Sequence, residues 1–383
     1  RRPPRSTLFP YTTLFRSTNQ ELVSNDNVIF LVDSKYAESD TQKISLIKDE
    51  YDITTELENE NFIKKVIELG GKVIVAKNYS AAKEYLKDRN QFDVKFLLAK
   101  QGESSTTDAG TISDLSQAIE IAKYRRDCAV VYTKTLSTDG KLKYEDDELN
   151  LLKLVDADSS TDSDDDYEDE KNIPGKYVLP FYAKDLKVDK KDCDAGKCYI
   201  LAYLNSIKTN PEWLSIAGSK RGVIPGASSV GFITESEIDG MQPDGKTAGE
   251  IAINPIVEMN PWGIRIWGNR TAYVSQKDDK GLVASSFANI RILLCDLKKK
   301  LYKAARKYQF EQNSDILWVN FQAEVNSLLE EMVHSYGIAG YRWFREETKD
   351  RAKIAARLQI VPVEAIENFD LTIELTDSLT VNE

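Results

Sequence analysis

The sequence predicts an α/β protein: a core layer on a largely parallel sheet with flanking helices, then a C-terminal α+β unit ending in a strand whose one apolar face suggests that it pairs with something. Three observations predict it. Short apolar runs alternate with helix-like stretches between residues 28 and 133. Two long amphipathic stripes lie between residues 287 and 336. A period-two segment over 369–376 then presents one apolar face.

Residues 28–33 (VIFLVD) form a short apolar run between polar neighbours, the pattern of a buried strand. Residues 61–69 place Phe62, Val66 and Leu69 on one side of a helix, which Gly70-Gly71 stops. The cycle then repeats as strand 72–76, helix 81–89, strand 94–99, helix 112–126 and strand 129–133. Further on, 199–207 is expected to be helical and 213–217 a strand, while the Gly- and Ser-rich 218–240 should be irregular. Cys193 and Cys198, in CDAGKC, should flank a hairpin turn at Asp194-Ala195-Gly196. Phe287, Ile290, Leu294, Leu297, Leu301, Ala304 and Tyr308 make one helical stripe, with Lys298, Lys299, Lys303 and Arg306 off it. Trp318, Phe321, Val325, Leu328, Leu329, Met332 and Tyr336 make the second, with Gly337 in the C′ position. In the last segment Phe369, Leu371, Ile373 and Leu375 alternate with polar residues.

Length and composition bound the function. At 383 residues, 41% apolar and 30% charged, the chain can bury a substantial core. Its apolar runs fall short of the roughly 18–20 residues of a membrane helix. A formal net charge of −11 argues against a nucleic-acid partner, whose phosphates call for clustered Lys and Arg. Residues 1–17 have no helical or strand period; their STLFPYTTLFRS core resembles a translated sequencing adapter and is set aside. The rest of the chain divides into an expected core domain over 18–252 and a C-terminal domain over 253–383. Residues 156–170 (DADSSTDSDDDYEDE) carry nine carboxylates and read as a solvated surface loop, since the glycine of a calcium-binding EF-hand loop is missing.

No grouping of residues suggests catalysis. The single histidine, His334, sits late in a helical stripe, where it complements the helix dipole. A nucleophile–histidine pair or HExxH motif would depend on it, and neither GxxxxGK[ST] nor GxGxxG is present. No cofactor, metal or protease activity is expected. The most informative stretch is 254–273 (NPIVEMNPWGIRIWGNRTAY). If it is a strand, Arg265 points away from Ile264 and Ile266 and shares a face with Trp267. Arg265, Trp267 and Arg270 are therefore candidates for a subunit contact, with cation–π packing between them, whereas Trp262 is expected inside the core.

The order of these segments resembles that of contractile tail sheath proteins of tailed phages and related injection machines. The residues that carry it are FIKKVIELGGKVIVAK (62–77), FDVKFLLA (92–99), SQAIEIAKYRRDCAVVY (116–132) and WLSIAGSKRGVIPGA (213–227). INPIVEMNPWGIRIWGNRTA (253–272) is the most specific, followed by the helices over 289–332 and VPVEAIENFDLTIELT (361–376). The resemblance implies a structural subunit that forms six-membered rings stacked around a tail tube. Its partners would be copies of itself, the tube protein, and baseplate and tail terminator proteins, within a virion tail assembled in the host cytoplasm. It also implies that terminal arms add strands to a neighbour's sheet, so Phe369, Leu371, Ile373 and Leu375 become interface candidates. Another tail structural protein, or an extracellular hydrolase, is the alternative. A tube protein should be shorter and dominated by strands, which the helical pair disfavours.

Overall fold

A computed structural model describes residues 27–36, 44–53, 56–89, 92–100, 109–136, 142, 144, 146–152, 173–244, 251–274, 282–346, 353–363 and 365. The segments expected as an adapter-like start (1–17), an acidic loop (156–170) and a terminal strand (369–376) lie outside them.

The core is a mixed eight-stranded sheet. Its strands are β1 (Val28–Val32), β2 (Ile44–Ile47), β3 (Lys72–Ala76), β4 (Val94–Lys100), β5 (Ala129–Thr133), β6 (Val178–Tyr182), β10 (Asn254–Met259) and β11 (Gly263–Ile266). The short strands β7 (Lys187–Val188), β8 (Lys191–Asp192) and β9 (Ala227–Ser229) form a separate small sheet. The spatial order is β11-β10-β6-β5-β4-β1-β3-β2. The inner strands are parallel, while β2 and β11 cap the two edges antiparallel to their neighbours.

Alternation along each strand sends residues to opposite faces, and helices cover both. Ile29, Val73, Phe96, Val131 and Phe181 face α1 (Glu60–Glu68) and α5 (Ala195–Ser206). Phe30, Ile74, Leu97, Val130 and Val178 face α2 (Tyr79–Lys87) and α3 (Ala109–Arg125). Burial on both faces explains why these strands read as continuous apolar runs. Gly70 stops α1 as expected: at φ +88 it donates to Ile67 O, and Gly71 donates to Val66 O, closing the helix end. The second helix starts at Tyr79, because the Asn78 side chain caps it by accepting from Ala81 N at 2.8 Å.

Three local expectations are corrected. The cysteines do not flank a hairpin turn: Asp194 is the N-cap residue of α5, which begins at Ala195. The hairpin turn comes earlier, at Asp189-Lys190 between β7 and β8, both residues having φ near 50–65. Residues 213–217 form no strand, because Trp213 turns away from the sheet into the C-terminal cluster. Nor is 218–240 wholly irregular. It holds α6 (Gly218–Arg221), β9 and α7 (Glu235–Met241), the last set by a capping box between Thr234 and Glu237. The remaining helix of the core is α4 (Asp146–Leu152).

The C-terminal part is α+β: α8 (Ala288–Lys307), α9 (Asp315–His334) and a hairpin of β12 (Ile338–Glu346) with β13 (Ala355–Pro362). Both helices were legible in the sequence, but their contacts differ from a single-stripe reading. The first half of α8 is buried nearly all round, and Lys299 beyond it is buried too, because this part runs against the core layer. The glycine at the end of α9 also plays another part. Tyr336, at φ 59, takes the C′ position; Gly337 comes next and donates to Met332 O at 2.8 Å. Gly337 is small because a Cβ there would stand 2.7 Å from the Trp213 indole nitrogen.

Candidate subunit interface

The 254–273 block does two jobs. Its first half builds the sheet edge: β10 joins β6 in parallel, and β11 folds back with Val257 opposite Arg265. Its second half is an internal polar clamp. Asn254, fully buried, donates to Pro180 O at 2.9 Å and Arg270 O at 2.7 Å, and accepts from Arg270 N at 2.7 Å. Asn269 donates to Asn289 Oδ1 at 2.8 Å and accepts from Asn289 N at 3.2 Å, which fixes the first turn of α8 to the sheet edge. Asn289 in turn donates to Trp213 O at 3.4 Å.

The sequence-selected residues take separate places. Arg265 does point away from Ile266, whose side chain is buried; it donates to Ser219 O and Ile264 O. Trp267 is half-buried beside a cleft shared with Trp213 and Gln242, and it makes no cation–π contact with Arg265. Arg270 is buried within the subunit, its guanidinium 5.5 Å from the Phe287 ring centre. Trp262, expected in the core, instead stands half-exposed at the β10–β11 turn, where two strands alone cannot enclose an indole. Phe369, Leu371, Ile373 and Leu375 lie outside the described residues.

The feature that sequence reasoning missed is the β12–β13 hairpin. Tyr341 and Trp343 stand opposite Ile360 and Leu358, and all four face α9. Trp343 meets Trp318 and Phe321 edge-on at 5.9 and 6.0 Å, and its indole donates to Asn326 Oδ1 at 2.9 Å. Tyr341 donates to Glu330 Oε1 at 2.7 Å; burial and that carboxylate raise its hydroxyl to about 12. The outer face carries Phe344 with Arg342 and Arg357 packed on its ring at 4.9 and 5.3 Å. The only signal available was the short alternation Tyr341-x-Trp343 and Leu358-x-Ile360, too brief to distinguish from loop.

Between this hairpin and the two helices runs a groove of about 1760 Å³, lined by apolar side chains such as Leu297, Leu301, Leu317, Phe321 and Leu358. The hairpin forms a sheet of two strands, so both outer edges are unpaired among the described residues. An isolated pair of strands is marginally stable alone, and this one depends on the aromatic contacts with α9. Open edges beside a groove that offers apolar side chains can accept a further strand through main-chain hydrogen bonds and alternate side chains. Ion pairs hold the assembly to the core. Lys299 and Lys303 reach the two oxygens of Asp93, just before β4, at 2.5 and 2.7 Å. Burial would raise the Asp93 carboxyl, but the two lysines outweigh it and bring it to about 2.

Among the described residues no cluster of His, Cys, Asp and Glu could hold a metal ion, and no helix is long and apolar enough to cross a membrane. His334 ends α9, as the sequence indicates.

No family model matches the chain. Over 192 residues it is 27% identical to a tail sheath protein of Vibrio phage KVP40, a match covering 48% of this chain and 26% of that protein. The chain thus matches about a quarter of the length of this curated relative. Among solved structures, it superposes on the sheath complex of an extracellular contractile injection system (PVC) in its contracted state. There the TM-score is 0.65, the identity 16%, and 92% of each chain is covered. The contracted helical sheath of the anti-feeding prophage gives a TM-score of 0.59 at 14% identity, over 91% of this chain and 92% of that one. A sheath tail protein from Listeria innocua gives 0.53 at 8% identity, over 92% of this chain and 99% of that one.

Proposed function

This chain carries the fold of contractile sheath proteins and is similar in sequence to a tail sheath protein, and from that premise we propose that it is a structural sheath subunit, not an enzyme. Copies polymerise into stacked six-membered rings around a tube, and contraction drives the tube through the target envelope. The finer reading is a phage tail, with the tube protein, baseplate and tail terminator as partners, which the likeness to the Vibrio phage protein supports. The likeness to injection-system sheaths supports a second reading, a phage-like injection device. Both use the same subunit mechanics.

One observation carries the proposal: among the described residues the β12–β13 hairpin has two unpaired edges, and it stands over a groove with apolar side chains in its lining. Residues 369–376 of a neighbouring copy supply the missing strand, with Phe369, Leu371, Ile373 and Leu375 turned to the groove and the main chain setting register. Such a contact joins two different surfaces, so it propagates into rings and helices instead of closing a dimer. Arg265 and Trp267, at the sheet edge, extend the contact. Deleting 369–376 tests the proposal: sheaths should fail to assemble or fall into loose rings, and normal contractile sheaths after that deletion would refute strand exchange.

A further inference from the structure

At the start of α5, Cys193 and Cys198 occupy the N′ and N4 positions on either side of the N-cap residue Asp194. Side chains at these two positions meet over the first turn, where many helices place an apolar staple. Both thiols are free and belong to one apolar cluster, Cys198 buried within it and Cys193 packed at its partly exposed rim.

The turn around them is firmly held. Cys193 N donates to Leu186 O at 3.0 Å, and Gly196 N donates to Thr133 Oγ1 at 3.0 Å. Lys100 and Lys197 flank the site through Asp194, at 2.9 and 2.6 Å, and Lys65 lies nearby. Cations and a helix N-terminus favour a thiolate. In keeping with this, the neighbouring Cys198 thiol draws Cys193 below the ordinary thiol value against the raising effect of burial, and Lys197 and Lys65 add to it. Cys198 is pushed up, first by Cys193 and then by burial. The remaining cysteines, Cys128 and Cys295, are wholly buried, and burial raises both.

We propose that Cys193 and Cys198 form a redox-active pair that closes to an intramolecular disulfide, with a low-molecular-weight disulfide such as oxidised glutathione as the oxidant. The Cys193 thiolate attacks one sulfur of the small disulfide, forming a mixed disulfide and releasing one small thiol. Cys198 gives its proton to solvent and attacks the Cys193 sulfur, expelling the second small thiol. Two protein thiols are oxidised, and one small disulfide is reduced to two thiols. The new bond locks the end of β8 to the first turn of α5, at the carboxyl edge of the core sheet.

The test treats the native protein with oxidised glutathione, then denatures it, counts free thiols and measures intact mass. The thiols should fall from four to two with no glutathione adduct, and peptide mapping should join Cys193 to Cys198. In Cys198→Ser the first step has no resolving partner, so Cys193 should retain one glutathione. In Cys193→Ser neither disulfide nor adduct should form. Four thiols remaining in the wild type, a lasting glutathione adduct on it, or a bond to Cys128 or Cys295 would overturn the proposal. The wild-type result decides even where a variant fails to fold.

Discussion

Asn254 shows how a single side chain determines a joint. Its amide satisfies two carbonyls and one backbone N–H in a fully buried place between β6, β10 and the Arg270 segment. Asn254→Ala removes these partners without admitting water, and each stranded group costs about 1–3 kcal/mol. Chemical denaturation should show a loss of about 3 kcal/mol, large for one substitution. Two adjacent residues give a test of opposite sense. Gly337→Ala places a methyl against the Trp213 indole at 2.7 Å and should lose about 1–3 kcal/mol. Tyr336→Gly relieves a left-handed backbone while freeing the unfolded chain, so it should stay within about 1 kcal/mol of wild type. Thermal melts of the two variants check this, and the reverse order would mean that Gly337 serves conformation and not clearance. The sequence offered a glycine near a helix end but could not say which residue turns left-handed. That depends on an indole 124 positions earlier in the chain (Trp213 against Gly337).

At the scale of elements, α8 is tied to the core by Asp93, and its pH response has a definite sign. The folded carboxyl titrates at about 2 against an ordinary 3.8, so its stabilisation is present above pH 4 and is lost as pH falls through 2. The shift corresponds to about 2 kcal/mol. Asp93→Asn should remove that part of the acid dependence, as read from unfolding free energies between pH 5 and pH 2. The hairpin gives a second prediction. Trp343→Ala removes the aromatic contacts and the Asn326 hydrogen bond, so hydrogen exchange should accelerate across β12 and β13 while the core strands keep their protection. Legibility obeys the same physics. Strands β1, β3, β4 and β5 showed in the sequence because burial on both faces makes continuous apolar runs. The hairpin did not, because its outer face carries Arg342 and Arg357 packed on Phe344 and its inner face is only half covered. The cysteine turn was misread because CDAGKC suits a turn or a helix start equally; the choice falls to packing of Cys198 and Tyr199 against the sheet.

At the scale of the whole molecule, an acidic α/β layer carries a helical pair and a hairpin whose outer edges are unpaired among the described residues, and its proposed work is mechanical. Of the interface candidates chosen from sequence, Arg270 serves the interior clamp, Arg265 and Trp267 stand at the sheet edge, and the terminal strand is to be placed by experiment. The most direct test is negative-stain imaging of the purified protein across a rising concentration series. Rings and long tubes should appear and lengthen with concentration; particles that keep the size of one subunit at high concentration would contradict the account.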